Sequence, residues 1–359
     1  MGAADPSNDA ATKSAVAPAQ AGAQWRGSRE SLGPGLRRGD GGPTYNLAVD
    51  STARRLFLTG LLLAIAGSVL FSGKAIVVKL AYRYGVDATT LIALRMLFSV
   101  PFFAVTYLIV SRGKPPLTRG DHARLVVIGL LGYYAASYLD FLGLKYISAG
   151  LERLILYLNP TLVLLISVLA LGKRLVRLDF IALALAYAGI ALVFWHDVNF
   201  DAGGTLLGSA LVFASAACYA VYLVMSGELV KRVGALRLTS YAMLVSTVAV
   251  LAQFALLNPL AALAQPAPVL WLSVFNAFFC TVLPVFATML AIERIGAGNT
   301  ALAAMIGPVA TIVLAYVFLG ETVSLWQLAG TALVLAGVYV LSMKGLAAKP
   351  ASQLKEKQA

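Results

Sequence analysis

The sequence predicts an all-α membrane protein of about ten transmembrane helices, arranged as two inverted five-helix repeats. Three observations predict it: long apolar runs recur through most of the chain, charge is scarce and gathered between them, and the second half repeats features of the first. Apolar residues make up 60% of the 359 residues and charged residues only 12%. A soluble domain carries roughly 25% charge. The mean hydropathy of +0.83 points the same way. A hydrocarbon core of about 30 Å takes about 20 helical residues to cross, and runs of that length follow one another from Phe57 onward.

Residues 1–55 come first and read as a disordered N-terminal tail. They are rich in Ala, Gly, Ser, Pro and Arg and hold no apolar run, so they bury too little surface to offset the entropy of ordering. They also lack the apolar stretch of a cleaved signal peptide, and scattered acids (Asp5, Asp9, Glu30, Asp40, Asp50) argue against a transit peptide. The first span is then expected to act as an uncleaved signal anchor. Spans are predicted at 57–78, 89–111, 124–144, 149–171 and 178–195, completing a first unit over 56–195. A polar linker, 196–204, follows. A second unit over 205–343 holds spans at 205–227, 237–257, 268–291, 299–319 and 325–343, ahead of a tail at 344–359.

An even number of spans puts both termini on one side, and the basic residues choose the side. With the N-terminus cytoplasmic, that face receives Arg54, Arg55, Arg112, Lys114, Arg119, Arg124, Lys173, Arg174, Arg177, Lys231, Arg232, Arg237 and Arg294. The opposite loops hold Arg83 and Lys145 beside the acidic Asp197 and Asp201. The expectation is a multi-pass protein of the cell (inner or plasma) membrane with both termini cytoplasmic. The net charge of +12 is explained by this distribution and does not indicate nucleic acid.

A shift of 148 positions lays Ala149-Gly150 on Ala297-Gly298, Pro160 on Pro308, Leu171-Gly172 on Leu319-Gly320 and Gly189 on Gly337, without a gap. Self-similarity on this scale marks a repeat architecture. Each unit has an odd number of spans, so the second enters the membrane from the opposite side. Inverted repeats place a site near the midplane between them and permit alternating access.

The segments that carry the repeat are Lys145-Tyr146-Ile147-Ser148-Ala149-Gly150, Asn159-Pro160 and Leu171-Gly172-Lys173, matched by Arg294-Ile295-Gly296-Ala297-Gly298, Gly307-Pro308 and Leu319-Gly320-Glu321. In this order the chain resembles the EamA-type transporters of the drug/metabolite transporter superfamily, over about 57–343. The Leu-Gly-Glu turn of that family is intact at Glu321 and reads Lys173 in the first half. The resemblance implies a secondary transporter, an exporter of a small polar metabolite such as an amino acid. A solute channel of the same fold and a non-transporting membrane receptor or assembly protein stay open as alternatives. The implied partners are a small-molecule substrate and membrane lipid; a homodimer is compatible with the sequence.

Two groups of residues are candidates for the substrate pathway. Pro160 and Pro308 fall mid-span, where each removes a backbone donor and frees the carbonyl four residues earlier, that of Leu156 or Ala304. Such a break is tolerated only where protein or a water-filled cavity satisfies the oxygen. Asn159 and Gly307 precede the two prolines, so both pairs are expected to line a cavity or, more plainly, to kink their helices. The second group is charged: Lys74 and Lys79 on span one, Arg95 on span two, Asp140 on span three, Glu152 and Arg153 opening span four. A lone charge at a helix centre costs about 2.5–3.5 kcal/mol, so each is expected to be paired or to reach the interface. Lys79, Glu152 and Arg153 are near span ends and are expected to snorkel. Lys74, Arg95 and Asp140 lie deeper, as a structural network or as a site. There Asp140 would titrate, and the basic pair would suit a substrate carboxylate.

Tyr133, Tyr134, Tyr138, Tyr157, Tyr219 and Tyr222 read as packing or cavity-lining rings. Cys218 and Cys280 sit in spans without metal spacing and read as buried packing thiols. The two histidines, His122 and His196, belong to no catalytic motif, and no Walker A sequence is present. No enzyme activity, cofactor or metal is therefore expected.

Overall fold

The computed structural model describes residues 47–172, 175–197 and 204–347. Lys173, Asp201, most of the linker and most of the two tails lie outside the described residues. Among the described residues every regular element is helical. Nine helices among the described residues are long and apolar enough to cross a membrane: α1 (Arg55–Tyr82), α2 (Ala88–Ser111), α3 (Arg119–Gly143), α4 (Ala149–Ala170), α5 (Arg177–Trp195), α6 (Gly204–Gly227), α7 (Ala235–Leu257), α8 (Ala267–Gly296) and α9 (Asn299–Leu319). The shorter apolar α10 (Leu325–Val340) follows. The helix containing α1 starts at Leu47, so residues 47–55, read from sequence as tail, are helical. That stretch holds neither Gly nor Pro, so nothing in it stops a helix nucleated by the apolar span.

Polar side chains at the helix starts supply the missing backbone partners. Asp87 Oδ1 accepts from Thr90 N at 3.0 Å ahead of α2. Thr118 and Asp121 form a reciprocal capping box on α3. Ser148 Oγ accepts from Leu151 N at 3.1 Å ahead of α4. Gly172 and Gly320, with φ of 64° and 70°, close the two matched Leu-Gly turns in the left-handed conformation that glycine tolerates.

The repeats pack by exchanging equivalent contacts. α1 lies on α8 while its counterpart α6 lies on α3; α2 pairs with α7, and α5 with α10. Close approach depends on matched small residues. A Cβ at Gly208 would sit 2.8 Å from Ile147 Cγ2, and one at the equivalent Gly60 would strike Ile295, the equivalent of Ile147. Both third spans carry a π-helical turn at the same register, Leu130–Ala135 and Phe278–Val282. Such turns widen a helix and leave carbonyls in need of donors; Ser215 Oγ donates to Ala136 O at 2.7 Å.

Candidate functional site

α1 supplies three polar side chains to the site. Ser68 and Ser72 stand four residues apart, one turn above the other, and Lys74 follows. Lys74 Nζ donates to Asp140 Oδ2 of α3 at 2.5 Å and lies 3.4 Å from Glu152 Oε1 of α4. One buried ammonium thus serves two buried carboxylates. Arg95 of α2 does not join them in an ion pair: its Nη2 donates to Ser137 Oγ at 2.9 Å, and its guanidinium lies 4.9 Å from the centre of the Phe141 ring.

Arg153 points the other way, toward the second repeat. Its Nη2 donates to Ser72 Oγ at 3.1 Å. The guanidinium lies between the Phe71 and Tyr157 rings, 5.1 and 5.5 Å from their centres, a placement favoured by the negative ring faces. Ser72 Oγ is in turn 3.0 Å from Gly307 O in α9.

That carbonyl belongs to the proline break. α4 breaks at Tyr157 and Leu158, between helical segments Ala149–Leu156 and Asn159–Leu171. The chain breaks again at Met305 and Ile306, before the segment Gly307–Leu314. The oxygen that Pro308 frees, on Ala304, accepts from Ser68 Oγ at 2.8 Å and from Tyr157 Oη at 2.5 Å. Side chains of the first repeat therefore satisfy the break in the second. Gly307 permits it, because a Cβ there would meet Tyr157 Oη, Ser68 Oγ and the Arg153 guanidinium.

A second set of bonds joins the repeats at the other ends of the same helices. Glu321, in the Leu-Gly-Glu turn, lies 2.8 Å from Lys79 Nζ and accepts from Ala149 N, the first backbone donor of α4, at 3.1 Å. The positive end of a helix dipole suits a carboxylate there. Lys79 Nζ also donates to Ile147 O at 2.9 Å, and Arg83 Nη2 to Leu319 O at 2.9 Å.

Of the residues singled out from sequence, Lys74, Asp140 and Glu152 form one ion cluster, and Arg153, through Ser72, reaches Gly307 beside the Pro308 break. Asn159 and Pro160 are half-buried on the other broken helix, and Asn159 Oδ1 has no hydrogen-bond partner. One expectation is narrowed and another changes. Of the two basic residues expected near Asp140, Lys74 is its partner, and Arg95 bonds to Ser137 instead. Glu152 and Arg153 do not snorkel: they are 0% and 5% exposed. The start of α4 is packed among α1, α6, α9 and α10, and a side chain there has no lipid-facing route to the interface. Sequence reading missed Ser68, Ser72 and the reach of Glu321 to α4. The four-residue spacing of the two serines on the lysine-bearing span was the available signal.

The model of the EamA-like transporter family matches residues 58–195 and again 206–343. A relative from Bacillus subtilis, the uncharacterized transporter YcbK, is 30% identical over 282 residues, covering 76% of this chain and 88% of its own. An uncharacterized transporter from Archaeoglobus fulgidus is 24% identical over 283 residues, covering 79% and 98%. A solved crystal structure superposes with a TM-score of 0.55 at 20% identity over 83% of this chain and 99% of its own.

Proposed function

This chain belongs to the EamA-like transporter family, and from that premise we propose that it is a secondary transporter exporting a small polar metabolite, such as an amino acid, by alternating access. The observation that carries this reading is the shared repair of the α9 break: Ser68 and Tyr157 of the first repeat cap a carbonyl of the second. A helix opened at mid-membrane and closed by hydroxyls from the other repeat can exchange those donors for substrate as the repeats rock. The break sits beside buried charge, as midplane transport sites do.

Both termini are cytoplasmic in this reading, in the cell membrane, because the short loops on that side hold most of the Lys and Arg. The bonds of Glu321, Lys79, Arg83 and Ala149 then tie the repeats together at the external face. Opening to the outside requires breaking them.

Untargeted comparison of metabolites exported by cells with and without the protein, followed by counterflow in proteoliposomes, tests the proposal. Saturable, counterflow-stimulated movement of a small polar solute is expected. A non-saturating flux without counterflow would replace the carrier with a channel, and no solute difference would remove the transport reading.

A further inference from the structure

We propose that Arg153 is the anchor for a substrate carboxylate, so that the solute carried is a monoanionic or zwitterionic acid; this rests on the transport reading above and names the substrate class.

Six buried charged side chains lie on α1 to α4, each 6% exposed or less. Asp121, at the start of α3, is paired with Arg232. The other five form the cluster, counted by formal charge: the cations Lys74, Arg95 and Arg153 and the carboxylates Asp140 and Glu152. Both carboxylates are gathered on Lys74. The cluster therefore carries one positive charge in excess, and the cations without an ion pair among the described residues are the two arginines. Inside a membrane protein an unbalanced buried cation is costly. One carboxylate balances this cluster, whereas a phosphate dianion overshoots it.

Position selects Arg153 over Arg95. Arg95 is tied to Ser137 and stacked on Phe141, within the first repeat. Arg153 stands where the repeats meet, one hydrogen bond from Ser72 and two from the α9 break. Its Nε, like that of Arg95, has no hydrogen-bond partner among the described residues; at Arg153 that edge of the fork faces the junction of the repeats, where a carboxylate can accept from it in the bidentate manner guanidinium favours. Ser68, Ser72 and Tyr157 add hydroxyls around the same point. Phe71 shares the face of α1 that bears Ser68 and Ser72, and its ring, 39% exposed, covers the guanidinium.

Lys74 keeps the site available. Glu152 is the preceding residue of the helix and the nearest competitor for Arg153; its ion pair with Lys74 holds it on the other side. Lys74 is in this sense a positioning residue.

The test uses the purified full chain in lipid nanodiscs. Thermal unfolding is followed against the proteinogenic L-amino acids, their primary amides and inorganic phosphate, and uptake of the same solutes is measured in proteoliposomes. At least one acid should stabilise the protein, with its amide binding about tenfold more weakly or worse, the value of a lost charged hydrogen-bond pair. Arg153→Gln should abolish the difference between acid and amide, and Arg153→Lys should retain a reduced one, because ammonium offers no fork. Equal stabilisation by acid and amide, stabilisation by phosphate alone, or no response to any acid would each overturn the proposal. These comparisons are made on the wild-type chain and decide the matter even if Arg153→Gln does not fold. Acid-selective binding without uptake would sink the transport reading and leave the site standing. Uptake of an uncharged solute that no acid inhibits would sink the site and leave transport standing.

Discussion

Replacing Lys74 by Met deletes the one ammonium that two buried carboxylates share. Asp140 lies 2.5 Å from it and Glu152 3.4 Å, with side-chain exposures of 3% and 0%. Removing one partner of a buried ion pair costs about 3–5 kcal/mol, because the charge left behind has no compensation. Asp140→Asn is milder: Lys74 keeps Glu152, and the loss is that of a charged hydrogen bond, about 1.5–3 kcal/mol. The combinations discriminate more sharply than the single changes. Adding Asp140→Asn to Lys74→Met should recover part of the loss, and adding Glu152→Gln as well should recover most of it, since a wholly neutral replacement for a buried ionic group is often near neutral. Arg95→Gln should rescue none of these, its bonds being to Ser137 and Phe141. Unfolding in mixed micelles, titrated with denaturing detergent, supplies the stabilities. A Lys74→Met protein within about 0.5 kcal/mol of wild type, or a better rescue of Asp140→Asn by Arg95→Gln than by Lys74→Met, would refute the assignment of partners.

Glu321→Gln should loosen the tie between the repeats, by about 1–2 kcal/mol for a part-exposed, charge-assisted contact; a cysteine at Ala149 should then label faster with a membrane-impermeant maleimide, and unchanged labelling would argue against a lock. Pro308→Ala should slow transport without impairing insertion, and should stabilise by less than the roughly 3 kcal/mol of a helix-interior proline, because Ala304 O already has two donors; unchanged turnover would sever the break from the transport cycle. Reporter fusions after successive spans should give internal signals for the loops after Ser111, Leu171 and Val233, and an external signal from the loop holding Lys173 and Arg177 would overturn the orientation.

The helices were legible because membrane spans announce themselves. Bilayer thickness sets their length, the run of apolar residues marks it, and caps such as Asp87, Thr118 and Ser148 stand at the starts. The prolines announced both breaks, and the carbonyl four residues before Pro308, that of Ala304, is indeed free of its helical donor and bound by side chains. What closes that carbonyl was not legible, since Ser68 is 236 residues from it, a distance only the fold can cross. The burial of Glu152 and Arg153 was hidden for a related reason. A charge one turn from a span end is at the interface if its face meets lipid and in the core if it meets protein, and hydropathy does not distinguish the two. The pairing of Asp140 was ambiguous because Lys74 and Arg95 are both basic and both deep.

A duplicated unit tends to keep what packing demands in both copies, because each copy meets the other through the same surface. Gly60 and Gly208 obey this, each held small by the isoleucine of the opposite repeat; so do Pro160 and Pro308, and the π-helical turns of α3 and α8. The charged residues do not. At the matching positions Lys74 becomes Tyr222, Arg95 becomes Met243, Asp140 becomes Thr288, Glu152 becomes Thr300 and Arg153 becomes Ala301, while Glu321 answers to Lys173 and Lys79 to Gly227. Scaffolding alone gives no reason for four of these departures, Lys74, Asp140, Glu152 and Arg153, to gather beside one broken helix. The proposed ligand gives one, since a small solute between two repeats needs one set of charges, supplied once. The same asymmetry falls on the tie at Glu321. Its pattern of carboxylate, lysine and helix start is not repeated in the sequence at the matching positions, where Gly227 lacks an ammonium and residue 173 lacks a carboxylate. Under the proposed transport reading, Glu321→Gln therefore weakens the tie at the Leu319-Gly320 turn with no counterpart substitution available in the first repeat.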